Sequence, residues 1–317
     1  VKFLDILQQK NKAMSRNMLL ILGIFYISFT TLIGQDFQVS SVDSLKEAGD
    51  LRGAIDAGQK QFRNNPNDMN NAYNLACNFS ISRQVDSAFH YLKWALDGDT
   101  SVRVLTDPDL FFISKDERWK EIEDMQVEKV EAKFGEYPNL ELSKELWSMS
   151  MKDQAYYYHI QLADKQIDRF SPINRALWDL KSKLNEENLA RLEAIIAEHG
   201  WPKISEVKGS AAQAAFLIVQ HSGLKVQEKY LPIMTEAANN GEANWSSLAL
   251  LIDRVRMRND EKQLYGSQVR RNPNTGAFEP FPIEDESNVD IRRKEVGLGP
   301  LADYLGYWDI EYTVPKK

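Results

Sequence analysis

The pair Ala54-Ile55 recurs as Ala88-Phe89, 34 residues further along the chain. A fixed period of that length means a helical hairpin repeated in an array, where each hairpin buries its apolar face only against its neighbour. In the second copy the positions spaced for the seam are Ala72, Leu75, Ala76, Phe79, Ala88, Leu92 and Ala95. Small and large apolar side chains in that order let two antiparallel helices approach closely at Ala76 and Ala88. Pro66 falls where the first copy turns into the next helix, because the residue before a proline is steered out of helical backbone.

The second copy resembles a tetratricopeptide repeat. The first is a poorer match, with Ser41 and Val42 where the seam wants a large and a small apolar residue. Asp107-Pro108-Asp109-Leu110 then leads to Asp116-Glu117-Arg118-Trp119, which predicts a closing helix with Trp119 over the open end of the array. The resemblance implies a module over residues 40–135 that docks a protein or peptide partner, or else acts as a spacer. Cys77 follows Ala76 on an apolar helix with no histidine or basic residue near it in sequence, so it reads as a buried packer and not a nucleophile.

Ahead of the array, Met18–Ile33 contains no ionisable acid or base, with Arg16 just before it and Gly34-Gln35 after it. A basic segment, an apolar run and a small residue at the exit predict a secretory signal over residues 1–34, with 1–13 an upstream extension if Met14 is the initiator. The destination is then periplasmic or secreted. The alternative, an uncleaved anchor, needs roughly 20 apolar residues, whereas this run is shorter and includes Ser28, Thr30 and Thr31. No stable membrane span is expected once the signal is removed.

Charge narrows the partners. The formal balance is −7, and the signal segment removes Lys2, Lys10, Lys12 and Arg16 against only Asp5, so the remainder is more acidic still. Such a chain repels phosphate backbones, and no basic stripe with interleaved aromatics is apparent; nucleic acid is not an expected partner. With a single cysteine there is no intrachain disulfide and no thiolate cluster. Spacing of the four histidines (His90, His159, His199 and His221) matches no metal motif, so no metal site and no cofactor is evident.

The remaining residues, 138–317, predict a second, helical domain. Apolar periodicity suggests helices from Leu140 to about Phe170, Asn174 to Leu184, Glu186 to His199, Ser210 to His221, Leu224 to Asn239 and Trp245 to Arg258. After Arg258 the period changes. Gln263–Val269 and Ala277–Phe281 flank the turn-forming Asn272–Gly276 and predict a β-hairpin near 263–283. The fold class expected is mainly α: a tetratricopeptide-like helical repeat followed by a helical domain with a C-terminal β-hairpin.

This domain carries an ordered series: Met151-Lys152-Asp153-Gln154, Gly200-Trp201-Pro202, Val219-Gln220-His221, Asp253-Arg254-Val255, Tyr265-Gly266-Ser267-Gln268 and Arg292-Arg293-Lys294-Glu295. The series resembles a bacterial domain-of-unknown-function family marked by GWP, VQH, DRV and YGTQ motifs. Ser267 stands where the family pattern has threonine, a change that keeps the hydroxyl. The resemblance implies no reaction.

Asp253 is the most informative polar residue. Leu248, Leu251, Ile252 and Val255 form an apolar stripe on its helix, and Ala249, Leu250 and Met257 extend apolar character around the cylinder. A helix apolar on most sides is buried, and a carboxylate on it needs partners. Arg254, His221, Tyr265 or the amides of the hairpin are the candidates. One reading makes His221 and Asp253 a catalytic acid–base pair in an exported hydrolase, with Tyr265 or Arg254 stabilising charge. The preferred reading is an exported interaction or ligand-binding protein of unknown activity. Asp153, Gln154, Gln220, Arg254, Gln263, Tyr265 and Gln268 are then the residues expected to meet a small ligand. A satisfied polar network serving only the fold is the plainer account of the same residues. Arg292-Arg293-Lys294, beside Asp285, Glu286 and Asp290, reads as a solvated helix start.

Overall fold

The computed structural model describes residues 41–272 and 274–315. The signal segment predicted over 1–34 lies outside them. The described chain is mainly α, with one small antiparallel hairpin near its C-terminus. It forms two compact units, one running as far as Ile218 and the other starting at Val219.

The first unit begins with α1 (Ser41–Glu47), α2 (Leu51–Asn64), α3 (Met69–Ile81) and α4 (Val85–Ala95). Asp50 and Asp68 cap the starts of α2 and α3 by accepting from the amides of Gly53 and Asn71. Helices α2 and α4 start 34 residues apart, at Leu51 and Val85, as the recurrence requires. The seam residues Ala72, Leu75, Ala76, Ala88 and Leu92 are fully buried, as is Ala54 of the first copy. Val42 is buried too, so the short α1 still contributes to the packing.

The segment expected to close the array differs in detail. Short α5 (Arg103–Thr106) and two 3-10 turns, Pro108–Leu110 and Ile113–Lys115, precede α6 (Trp119–Phe134). Leu110, Phe111 and Ile113 are the residues sunk there, while Trp119 is half-buried at the first position of α6.

Three helices follow in this unit: α7 (Leu140–Gln154), α8 (Tyr157–Gln166) and α9 (Pro172–His199). The single helix expected from Leu140 to Phe170 is therefore broken. The break falls at Ala155-Tyr156, where Tyr156 takes a left-handed backbone with φ +70°. Conversely, the two helices expected over 174–199 are one, because Asn185 is only a mild helix disfavourer and the buried Lys181, Asn188 and Leu192 hold both halves down. A further helix, α10 (Ile204–His221), has a kink at Lys208, whose φ is 60° and ψ 167°. The regular part therefore starts near Ser210, as read from the sequence.

In the second unit α11 (Leu224–Asn239) and α12 (Trp245–Arg258) pair side by side, each with the predicted bounds. Strands β1 (Val269–Arg271) and β2 (Phe278–Pro280) form the hairpin, with Val269 opposite Pro280 and Arg271 opposite Phe278. Two short helices end the chain, α13 (Val289–Glu295) and α14 (Leu301–Gly306). Val269, Ile283, Val289, Leu301 and Leu305 make a small apolar core, covered by Tyr304, Trp308, Ile310, Tyr312 and Val314. The strand expected to begin at Gln263 begins only at Val269. Residues 263–268 are an irregular loop, and that loop is the centre of the unit.

Candidate functional site

An irregular loop can be buried only if its backbone N–H and C=O groups find partners. Gln263, Gly266, Ser267 and Gln268 are all buried; an isolated parallel bridge to Ile283 meets Gln263 and the Phe281 amide meets the Gln268 carbonyl, but no continuous ladder covers the residues between. Side chains supply the bonds instead. Asp253 on α12 is fully buried and accepts from the amides of Leu264 (2.6 Å), Tyr265 (3.0 Å) and Ser267 (2.9 Å), using both carboxylate oxygens. The carbonyls of the same loop are met from the other side. Arg292 Nε donates to the Leu264 carbonyl at 2.9 Å, Arg293 Nη1 to that of Tyr265 at 2.7 Å, and the Tyr304 hydroxyl to that of Ser267 at 2.7 Å.

The glutamines close the ends. Gln263 accepts from the Gln268 amide at 2.8 Å and donates from Nε2 to the carbonyls of Gln268 and Phe281. Gln268 donates to Ser267 Oγ and accepts from Arg254 Nε at 3.2 Å. Arg254 reaches on to the Gln220 carbonyl at 3.0 Å, a carbonyl that also accepts from Gln227. Gly266 sits at φ +70°, with room for a hydrogen only. A Cβ there would lie 2.8 Å from Leu301 Cδ1 and 3.0 Å from Ile283 Cδ1.

The electrostatics follow from this packing. Burial pushes the Asp253 carboxyl above its ordinary range, and the amides of Ser267, Tyr265 and Leu264 pull it part of the way back. Tyr265 is raised by burial and then by the Asp253 charge. Arg293 is lowered, because burial of its guanidinium outweighs its acidic and phenolic neighbours.

Of the residues singled out in the sequence, Gln220, Arg254, Gln263, Tyr265 and Gln268 gather around Asp253. Tyr265 contributes its backbone to the bracket, and its half-buried phenol does not touch the carboxylate. His221 is the last residue of α10 and half-buried, and the donors on Asp253 are loop amides, not its imidazole. Arg292 and Arg293 depart from the solvated role expected for them, and Arg293 is only 3% exposed. Periodicity could not pair them with a loop 28 residues upstream; the one hint was their place at the end of the ordered motif series.

Asp153 and Gln154 lie in the other unit, at the last turn of α7. There Gln154 donates to Asp153, and the fully buried Lys181 of α9 donates to the Asp153 backbone carbonyl and to Asn185. The ammonium also stands 4.9 Å from the centre of the Tyr157 ring. A cation at a helix C-terminus complements the unpaired carbonyls, so Lys181 pins the break between α7 and α8. Burial lowers its affinity for the proton, and Asp153 partly restores it. Sequence periodicity gave no sign of Lys181, which shares one face of α9 with Asn174 and Asn188.

Among the described residues Cys77, Asp107 and Asp109 bring potential ligand atoms within 4.8 Å of one another. Lys46 already binds Asp109 at 2.5 Å and the Tyr73 hydroxyl donates to Asp107 at 2.9 Å. Burial, then the two carboxylates, push the Cys77 thiol well above its usual range, so it stays a thiol.

What emerges is a mainly helical protein with a buried polar bracket built from a few short motifs. A family model for DUF6624, a family of unknown function, matches residues 140–317. That is more than half of the chain, which belongs to this family. No curated protein and no solved structure matches it.

Proposed function

We propose that the chain is an exported interaction protein, in which the bracket around Asp253 is a rigid scaffold and the N-terminal, tetratricopeptide-like hairpins over 40–135 dock a partner. One observation carries the first half: both oxygens of Asp253 are engaged by three loop amides, and the Arg254, Gln263 and Gln268 side chains are engaged alongside them. A catalytic carboxylate must be able to meet an imidazole or a substrate. Here that capacity is taken up by the fold, which favours the interaction reading over a hydrolase built on His221 and Asp253. The docking half rests on the 34-residue period and on the helical hairpins that follow it. Export rests on Arg16, the uncharged apolar run after it and Gly34.

A panel of ester, phosphoester, glycoside and peptide substrates tests the reading. The expected result is no turnover that depends on His221 or Asp253. Turnover lost in H221A, with the thermal midpoint unchanged, would establish the hydrolase instead. For export, mass spectrometry of the protein from a fractionated host should find a chain starting at Gln35 outside the cytoplasm. A full-length chain confined to the cytoplasm contradicts it.

A further inference from the structure

Arg83 and Lys115 come together on aromatic rings in the first unit although the chain as a whole is acidic, and Lys152 is near enough to act electrostatically on Lys115. Arg83 lies in the turn between α3 and α4 and is exposed, with its guanidinium 3.6 Å above the centre of the Phe112 ring. Lys115 ends the second 3-10 turn, 4.2 Å from the centre of the Phe111 ring. The two phenylalanines pack against each other and both meet Tyr156 edge to face, and Phe112 also meets His159. Three separate stretches of chain thus bring cations and ring faces to one place.

The charges there are only partly opposed: Glu187 acts on Lys115, and Lys152 acts on Glu145, which is itself bound to Arg191. Among the described residues, none of Arg83, Lys115 and Lys152 makes an ion pair with a carboxylate. Lys115 is held below its ordinary range by burial and then by Arg83 and Lys152, with Glu187 the one acidic neighbour opposing them. His159 is lowered by burial and by Arg83, against Asp109, which is itself taken by Lys46. Arg83 also holds a left-handed backbone, φ 60°, where glycine or asparagine is the easier residue. That conformation closes the end of α3, where the amides of Arg83 and Gln84 bond the carbonyls of Ser80 and Phe79, and it turns the exposed Arg83 side chain away from the helix axis.

From this geometry we infer that Arg83 and Lys115, backed by Phe111, Phe112 and Tyr156, form a docking surface for an acidic peptide segment of a partner protein. The inference deepens the interaction reading above and rests on it. Stacking on rings leaves the guanidinium edge and the ammonium free to meet carboxylates, and a guanidinium fork suits a carboxylate in bidentate geometry. The surface is open and spread over several chain segments, which fits an extended chain with carboxylates at intervals. With the Phe112 and Phe111 faces already covered by Arg83 and Lys115, those faces are not free for stacked bases, which argues against a single-stranded nucleic acid.

The test uses the full chain and a labelled dodecapeptide rich in Glu and Asp, with its Gln/Asn counterpart and a single-stranded oligothymidylate as comparisons. Fluorescence anisotropy at low and moderate salt should show the acidic peptide binding at least tenfold more tightly than the neutral one. The R83E/K115E variant should lose at least tenfold, while K225E, an exposed charge change in the other unit, should change affinity less than twofold. Arg83→Gly guards against misfolding: glycine takes the left-handed turn readily, so this variant should keep the wild-type thermal midpoint and still bind several-fold more weakly. Three results overturn the site: no preference for the acidic peptide, an equal loss in K225E, or tighter binding of the oligonucleotide than of the peptide. Any of them leaves the substrate panel untouched, so this failure and failure of the interaction reading can be told apart.

Discussion

The loop at 263–268 and the cluster at Arg83 handle polar groups in opposite ways. Around the loop, the charged and amide side chains of Asp253, Arg254, Gln263, Gln268 and Arg293 are buried and turned inward, mostly onto backbone groups. Around Arg83, cations stand on aromatic faces and, among the described residues, Arg83 and Lys115 make no ion pair with a carboxylate. Buried polar groups must be satisfied by the fold itself, whereas exposed and unpaired ones are available to something else. On the function proposed above, the residues most conspicuous in sequence hold the fold, and less conspicuous ones meet the partner.

The largest effect that would break this contrast is at Asp253. Replacing it by alanine strands three loop amides and should cost about 3–5 kcal/mol, read as a lowered urea midpoint with loss of the native near-UV spectrum. Stability within about 0.5 kcal/mol of wild type would mean that the loop does not depend on the carboxylate. Gly266→Ala comes next. A left-handed backbone together with contacts of 2.8 and 3.0 Å on Leu301 and Ile283 should cost about 1–3 kcal/mol by the same measurement.

Asp253→Asn is gentler and carries a pH signature. Only one of its two terminal atoms accepts, so about 1–3 kcal/mol is lost. Because the folded carboxyl is raised, between its ordinary value and the raised one the folded protein holds a proton that the unfolded chain has released. The wild-type advantage over D253N is therefore fullest below the ordinary carboxyl range and shrinks as pH rises through the raised value. Urea midpoints of both proteins at pH 4 and pH 8 check this, and an advantage that grows with pH contradicts it. The smallest effect is expected at the exposed cluster, where R83E/K115E should leave stability within about 0.5 kcal/mol.

Much of the helical frame was legible. Helices α11 and α12 have the predicted bounds because Gly223 and the Asn239–Asn244 turn punctuate strong apolar periods. Burial of Asp253, and its need for partners, also followed from the apolar residues around its helix; that the loop amides supply them, among the candidates Arg254, His221, Tyr265 and those amides, did not. What stayed hidden is non-local or lacks a punctuating residue. The break at Ala155-Tyr156 has no glycine or proline to announce it. Gln263–Val269 alternates like a strand, yet backbone groups from Leu264 to Ser267 bond to side chains on α12, α13 and α14, and an isolated bridge at Gln263 is all the pairing described before Val269. Lys181 and the Arg83 cluster are assembled from segments that no periodicity links.

The bracket itself is tested most directly by amide hydrogen exchange, residue by residue, at Leu264, Tyr265 and Ser267. If the Asp253 carboxylate holds a buried loop, these three amides exchange only through global opening in the wild type, and their protection falls by at least a hundredfold relative to α11 in D253N. Rapid exchange of the three in the wild type, at rates typical of a solvent-exposed loop, would contradict the account.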